Sequence, residues 1–133
     1  MNESLRTLVR ARAADCCEYC QLPQSATIVT HEADHIRSLK HQGPTELANL
    51  CWACAWCNAF KGSDVASFDP LDDELTPLFN PRTQAWSEHF AWSGAQLAGL
   101  TPTGRATIAV LKINDPERIG HRKLLIRSGV HPG

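Results

Sequence analysis

Leu5, Leu8 and Val9 recur at the spacing of one helix face, with Arg6, Arg10 and Arg12 between them. The pattern predicts a short amphipathic helix over residues 4–15, with Ser4 as its N-cap. After the turn-prone run Leu22-Pro23-Gln24-Ser25, the β-branched Ile28, Val29 and Thr30 predict the start of a strand that continues through Asp34, His35 and Ile36. Side chains alternate along a strand, so Asp34 shares a face with Glu32 and His35 with Ala33; a site using both must lie where the strand ends or twists. Residues 38–45, which contain Gly43-Pro44, read as a loop, and residues 47–50 as a short second strand. From Cys54 to Lys61 the residues suit a helix that stops at Gly62, and Asn58 and Lys61, three apart, share one of its faces. The order is strand, loop, strand, helix.

Beyond it, residues 69–82 are acidic and proline-containing but interrupted by Leu71, Leu75, Leu78 and Phe79, and read as an ordered surface connection rather than a flexible linker. His89-Phe90-Ala91-Trp92, the turn Ser93-Gly94 and residues 95–100 predict a hairpin, followed by a helix over residues 103–113. Asp115-Pro116 opens a final helix that stops before Gly129. The expected fold is α+β, a single domain over residues 1–133 with a core at about 16–64 and a C-terminal extension at about 65–133, the latter a hairpin plus two helices.

A length of 133 residues suits one modest hydrophobic core. With 43% hydrophobic and 20% charged residues the composition is that of an ordinary soluble protein, and no apolar run approaches the ~20 residues that span a bilayer. The N-terminus has no signal-peptide pattern, so the cytoplasm is the expected compartment. In that reducing setting six cysteines are better explained as metal-bound thiolates than as disulfides. Net charge is −1, so no global basic field draws the chain to nucleic acid. Charge is unevenly distributed, however: Arg37, Lys40 and Lys61 precede a run of Asp69, Asp72, Asp73 and Glu74.

Cys17-x2-Cys20 and Cys54-x2-Cys57 are two turns of the kind that each present a pair of thiolates to one zinc ion. The long gap between them implies that the strand-loop-strand unit is inserted between two zinc knuckles. Cys51-x2-Cys54 has the same spacing and Cys16 adjoins Cys17, so the set Cys17, Cys20, Cys54 and Cys57 is a preference among alternatives. Buried free thiols are the competing reading. A thioredoxin-like redox role does not suit these pairs, because neither precedes a helix within a βαβ pattern.

Taken together, Cys17-Glu18-Tyr19-Cys20, Asp34-His35-Ile36, Asn49-Leu50 and Cys54-Ala55-Trp56-Cys57-Asn58-Ala59-Phe60-Lys61-Gly62 resemble the HNH endonucleases of the His-Me-finger, or ββα-metal, class. Further on, Leu78-Phe79-Asn80-Pro81-Arg82, Trp86-Ser87-Glu88-His89-Phe90 and Gly104-Arg105-Ala106-Thr107 resemble a subgroup of small bacterial stand-alone HNH proteins. The resemblance implies a ββα-metal core clamped by a four-cysteine zinc site, and a metal-dependent DNA endonuclease that hydrolyses phosphodiester bonds. In that scheme His35 is the general base. Asp34 and Asn58 hold one catalytic Mg²⁺ or Mn²⁺, Asn58 standing where the family often has its last histidine, an HNN-type variant. Asn49 ties the loop and orients the histidine, while Lys61, Arg37 and His41 are expected to touch DNA phosphates.

Other residues carry weaker expectations. Glu32 fits a solvated face better than a metal. His89 suits either a packed position beside Trp86 and Trp92 or a DNA cleft, Arg82 and Arg105 are expected in ion pairs, and Trp52 and Trp56 are expected to shield the zinc or pack in the core. No recognition helix is evident, which implies low sequence specificity, and both a monomer and a homodimer are compatible with the sequence. The near-neutral charge favours a competing reading, a catalytically silent zinc module that binds DNA or a protein partner.

Overall fold

The computed structural model describes residues 1–130; the last three positions of the expected C-terminal extension lie outside the described residues. Helix α1 (Glu3–Arg12) starts one residue before the expected position because Asn2, not Ser4, caps it, its Oδ1 accepting from Leu5 N at 2.8 Å. It stops before Asp15 because Ala14 and Asp15 both turn to positive φ. Asp15 then accepts from Trp52 Nε1 at 3.0 Å and from Arg10 at 2.9 Å.

Strand β1 (Glu32–His35) pairs antiparallel with β2 (Leu50–Ala53), with Asp34 opposite Cys51 and His35 opposite Leu50. Residues 28–30, expected to begin the strand, lie outside it, and Ile28 is fully exposed. Their β propensity finds no partner, because β2 ends at Ala53, opposite Glu32, where Cys54 turns away to cap the next helix. At the other end residues 47–49 form a 3₁₀ turn rather than a strand. Helix α2 (Ala55–Lys61) begins where Cys54 Sγ accepts from Cys57 N at 3.4 Å and ends at Gly62, whose φ of 51° suits glycine.

Every residue of β2 is buried, and its alternation divides the interior. Leu50 and Trp52 pack with Val9 of α1 and with Ala33, whereas Cys51 and Ala53 join the main core. Burying side chains of this size contributes roughly 1.5–3 kcal/mol each. The main core includes Cys17, Cys20, Cys54 and Cys57 together with Phe79, Phe90, Leu97, Leu111 and Ile113 of the extension.

The segment read as a connection contains a hairpin, β3 (Ala66–Phe68) with β4 (Leu75–Pro77). Its turn is built by acidic side chains, Asp69 Oδ1 accepting from Leu71 N and Asp72 Oδ1 from Glu74 N, both at 3.0 Å. Phe68, Leu71 and Leu75 stay exposed, so apolar alternation did not signal these strands. After the short helix α3 (Trp86–His89), strands β5 (Phe90–Ser93) and β6 (Gln96–Gly99) form the expected hairpin around Gly94. Helix α4 (Pro102–Val110) is capped by Thr101 and stops earlier than expected, with Lys112 at positive φ. Helix α5 (Pro116–Arg127) follows Asp115 as expected, although the Asp115 side chain makes no cap bond. No helix among the described residues is long and apolar enough to cross a membrane.

Arg105 of α4 forks onto the buried Asp69, with Nε at 3.0 Å from Oδ1 and Nη2 at 2.8 Å from Oδ2. The Arg105 hydrogen bonds hold the Asp69 carboxyl below its ordinary value of 3.8, helped by Leu71 N. A depressed folded value means that the pair's contribution is complete above 3.8 and is lost as pH falls through the folded value. Arg105→Met is therefore expected to lower the thermal midpoint at neutral pH and to converge with the parent at strongly acid pH, as followed by circular dichroism.

Candidate functional site

The sulfur atoms of Cys17, Cys20, Cys54 and Cys57 all lie within 4.8 Å of one another in the buried core. Tetrahedral zinc with bonds of about 2.3 Å separates its sulfurs by about 3.8 Å, and Cys20 Sγ is 3.7 Å from Cys54 Sγ. The donor set thus fits zinc in both chemistry and spacing. The first pair sits in a tight turn in which Gln21 N donates to Cys17 O and Cys17 N to Leu22 O, with Gln21 at positive φ. The second pair begins α2, so one helix turn sets the spacing of its two sulfurs.

Cys51 lies outside the cluster: on β2 its thiol faces Tyr19 Oη at 3.5 Å, and burial pushes it up to about 12. It is an inert core thiol. Cys16, half-buried, donates to Ala14 O at 3.4 Å and is raised mainly by burial and also by Asp15. Trp56 packs edge-on against His121, and Trp52 is a core residue tilted against the fully buried His31, whose Nε2 lies 2.8 Å from Leu22 O.

The cysteine cluster takes in the cap and first turn of α2, the helix that faces the end of β1, where Asp34 and His35 lie. His35 is the last strand residue and is half-buried, with Nε2 2.8 Å from Thr45 Oγ1. Asp34 faces the other way, toward α2. Its Oδ2 is buried and accepts no hydrogen bond, with Lys61 Nζ 3.5 Å away as a charge partner. Burial raises the Asp34 carboxyl above its ordinary value and Lys61 offsets this only in part. Asn58, one turn before Lys61 on α2, is half-buried, and no other group among the described residues engages its amide.

Asn49 fastens the loop between the strands with three hydrogen bonds. Its Oδ1 accepts from Arg37 N at 3.0 Å, and its Nδ2 donates to Arg37 O at 2.8 Å and Pro44 O at 2.9 Å. Arg37 and His41 are exposed neighbours, joined by Arg37 Nε donating to His41 O at 2.7 Å. A cavity of about 460 Å³ opens beside them, between Arg37 and Asn49 on one side and Asn80, Thr83 and Gln84 on the other.

Lys61 is placed differently from its expected phosphate contact. It is 2% exposed, and its ammonium donates to His35 O at 3.2 Å and Ile36 O at 3.1 Å besides facing Asp34. The long stem runs inward from the last turn of α2 to meet carbonyls that leave the sheet at the end of β1; the ammonium is committed to that end and to Asp34's charge. His89 is a packed histidine, with Nδ1 2.6 Å from Thr101 Oγ1 and its ring against Phe79. Arg82 pairs with Glu18 and Arg105 with Asp69, as expected of arginines after turns. Glu32 is exposed. Sequence reading did not single out Thr45, because a lone threonine in a loop carries no spacing signal.

Residues 17–64 match the family model of the HNH endonucleases. Over that segment the chain is similar to the HNH domain. The match begins at the first zinc-type cysteine and runs past α2, so it encloses the cysteine cluster, the β-hairpin and the Asn49 loop. No curated protein and no solved structure matches the chain. The HNH domain points to nuclease or nucleic-acid-binding function, built on a four-cysteine cluster suited to zinc.

Chelation of zinc is expected to open the core, because its four ligands occupy the contact between the N-terminal turn and α2. Loss of the near-ultraviolet signal of buried Tyr19 and Trp52 on chelation, and loss of bound zinc in Cys57→Ser, are the measurements. The loop makes a separate demand: a Cβ on Gly43 would come within 1.7 Å of Arg37 O. Gly43→Ala should cost about 1–3 kcal/mol in urea unfolding while zinc stays bound.

Proposed function

We propose that the protein is a metal-dependent DNA endonuclease of the HNN type, with His35 as general base and one divalent metal on Asp34 and Asn58. The observation that carries this reading is the buried Asp34 Oδ2, which accepts no hydrogen bond, on a strand facing α2, where Asn58 offers a free amide, with a half-exposed imidazole one residue along the strand. A buried carboxylate oxygen without a hydrogen bond is costly, and the Lys61 ammonium, shared with two backbone carbonyls, offsets that only in part, so the oxygen can still take a cation. Two neutral or anionic oxygen donors suit Mg²⁺ or Mn²⁺, which complete their shells with water and phosphate oxygens. When bound, such an ion supplies charge stabilisation at phosphorus and at the leaving oxygen.

The chain's own residues do the rest. Thr45 Oγ1 accepts from His35 Nε2–H, which leaves the Nδ1 lone pair to take the proton from a water as its oxygen attacks phosphorus. The bond from phosphorus to the 3′ oxygen breaks, giving 5′-phosphate and 3′-hydroxyl ends. Asn49 keeps the loop, and with it Thr45, in register, while Lys61 braces the carbonyls of His35 and Ile36. Arg37 and His41, exposed on that loop, meet the flanking phosphates. With these exposed groups on a loop rather than on a helix face, recognition is of backbone rather than sequence. The protein acts in the cytoplasm.

A second reading has its own observation. Lys61 already gives Asp34 a cation, which suits a zinc module that binds DNA or a protein without cutting. Supercoiled plasmid separates the two. Zinc-loaded protein should nick it with Mg²⁺ or Mn²⁺ and not with EDTA, and His35→Ala should reduce the rate by at least about 10²-fold at unchanged zinc content. Binding without nicking under every metal supports the silent module instead.

A further inference from the structure

Arg118 of α5 is 3% exposed and yet pairs with no carboxylate among the described residues. Buried arginines ordinarily meet an anion. Here the anions are sulfurs: Nη2 donates to Cys57 Sγ at 3.2 Å and reaches Cys54 Sγ at 3.9 Å. The other arm is fixed, Nη1 donating to Leu111 O at 2.8 Å, and the guanidinium lies over the Trp56 ring at 5.3 Å. The planar fork is thus held from one side by a carbonyl and against an indole, with Nη2 on the metal-type cysteines.

Four thiolates around one divalent ion carry two net negative charges, and all four cysteines are at most 2% exposed. Charge enclosed to that degree is costly unless a counter-charge is enclosed with it. Arg122, one helix turn on, is also buried, but it donates to the carbonyls of Ala95 and Ile113 and stacks over Trp92. It lies in the same region without a bond to sulfur. Of the two arginines, only Arg118 bonds to the cysteines.

We propose that Arg118 is part of the metal centre: α5 hydrogen-bonds a guanidinium to the Cys57 and Cys54 thiolates, offsets the charge of the zinc cluster and retains the ion. The C-terminal extension then acts as a clamp on a metal site whose ligands all lie in the first half of the chain. The inference is independent of whether the protein cuts DNA, because its consequence is read on the zinc.

The test uses full-length, zinc-loaded protein and an excess of a chromophoric chelator, with circular dichroism to show that each variant is folded. Arg118→Met should release zinc about 10- to 100-fold faster than the parent, Arg118→Lys should be intermediate, and Arg122→Met should stay near the parent rate. A folded Arg118→Met that releases zinc at the parent rate overturns the proposal. So does an Arg122→Met that matches Arg118→Met, because the effect would then be general loosening of α5. If Arg118→Met does not fold, NMR-active cadmium in the unaltered protein decides the matter. Scalar coupling between cadmium and slowly exchanging Arg118 Nη protons supports the bond through sulfur, and fast exchange without coupling overturns it.

Discussion

Four sulfurs from two turns separated by more than thirty residues lie within 4.8 Å of one another, close enough to share a single ion, and most of the architecture follows from that meeting. The separation forces the β1–β2 hairpin and its loop to be closed between the two turns, so that the ends of the insert are fixed in place. The second turn doubles as the start of α2, with Cys54 as its cap and Cys57 in its first turn. Because α2 is short, its last residue, Lys61, is held close enough to touch the carbonyls at the end of β1. The geometry at Asp34 and His35 is therefore set from the cysteine cluster outward. In a chain of this size, whose hydrophobic core is small, one ion can supply the order that a larger core would.

Charge inside the molecule is handled in the same economical way. Asp34 faces Lys61, Asp69 faces Arg105, and the cysteine cluster faces Arg118, so each enclosed anion meets a cation from a different element. Such pairs do little for net stability, because desolvation offsets most of the attraction, but they specify which elements sit together. The Asp34 pair is the incomplete one: its oxygen lacks a hydrogen bond, and the carboxyl is held above its ordinary value by burial. Incompleteness at that point, beside a histidine with one nitrogen already held by Thr45, is what distinguishes a candidate reactive site from a structural ion pair.

The loop between β1 and β2 shows how backbone and side chain divide the labour. Gly43 permits a contact with Arg37 O that no side chain would allow, and Asn49 then ties both arms of the loop with its amide. Asn49 was legible in advance through its place in a motif. Gly43 was legible as a turn residue but not as a point of contact, since the carbonyl it approaches comes from six residues away.

Local chemistry was readable from the chain alone. Two cysteines three apart in a turn can present a pair of sulfurs to one ion, a glycine after a helical run stops it, and Ser93-Gly94 between apolar residues turns a hairpin. Such local rules were enough for the order strand, loop, strand, helix and for the late hairpin, and they narrowed the cysteine set without choosing between Cys51 and Cys57 as the partner of Cys54. What needed partners was settled only in three dimensions. Residues 28–30 have strand propensity but no neighbour to pair with, and β3 and β4 pair while their apolar side chains remain outside. Lys61 turns inward to carbonyls that only folding brings within reach, Thr45 meets His35 across a loop, and Arg118 meets Cys57 from sixty-one residues away. Spacing encodes contacts within a turn or a helix; a contact between distant segments depends on where every intervening element has packed, and no short pattern carries that information.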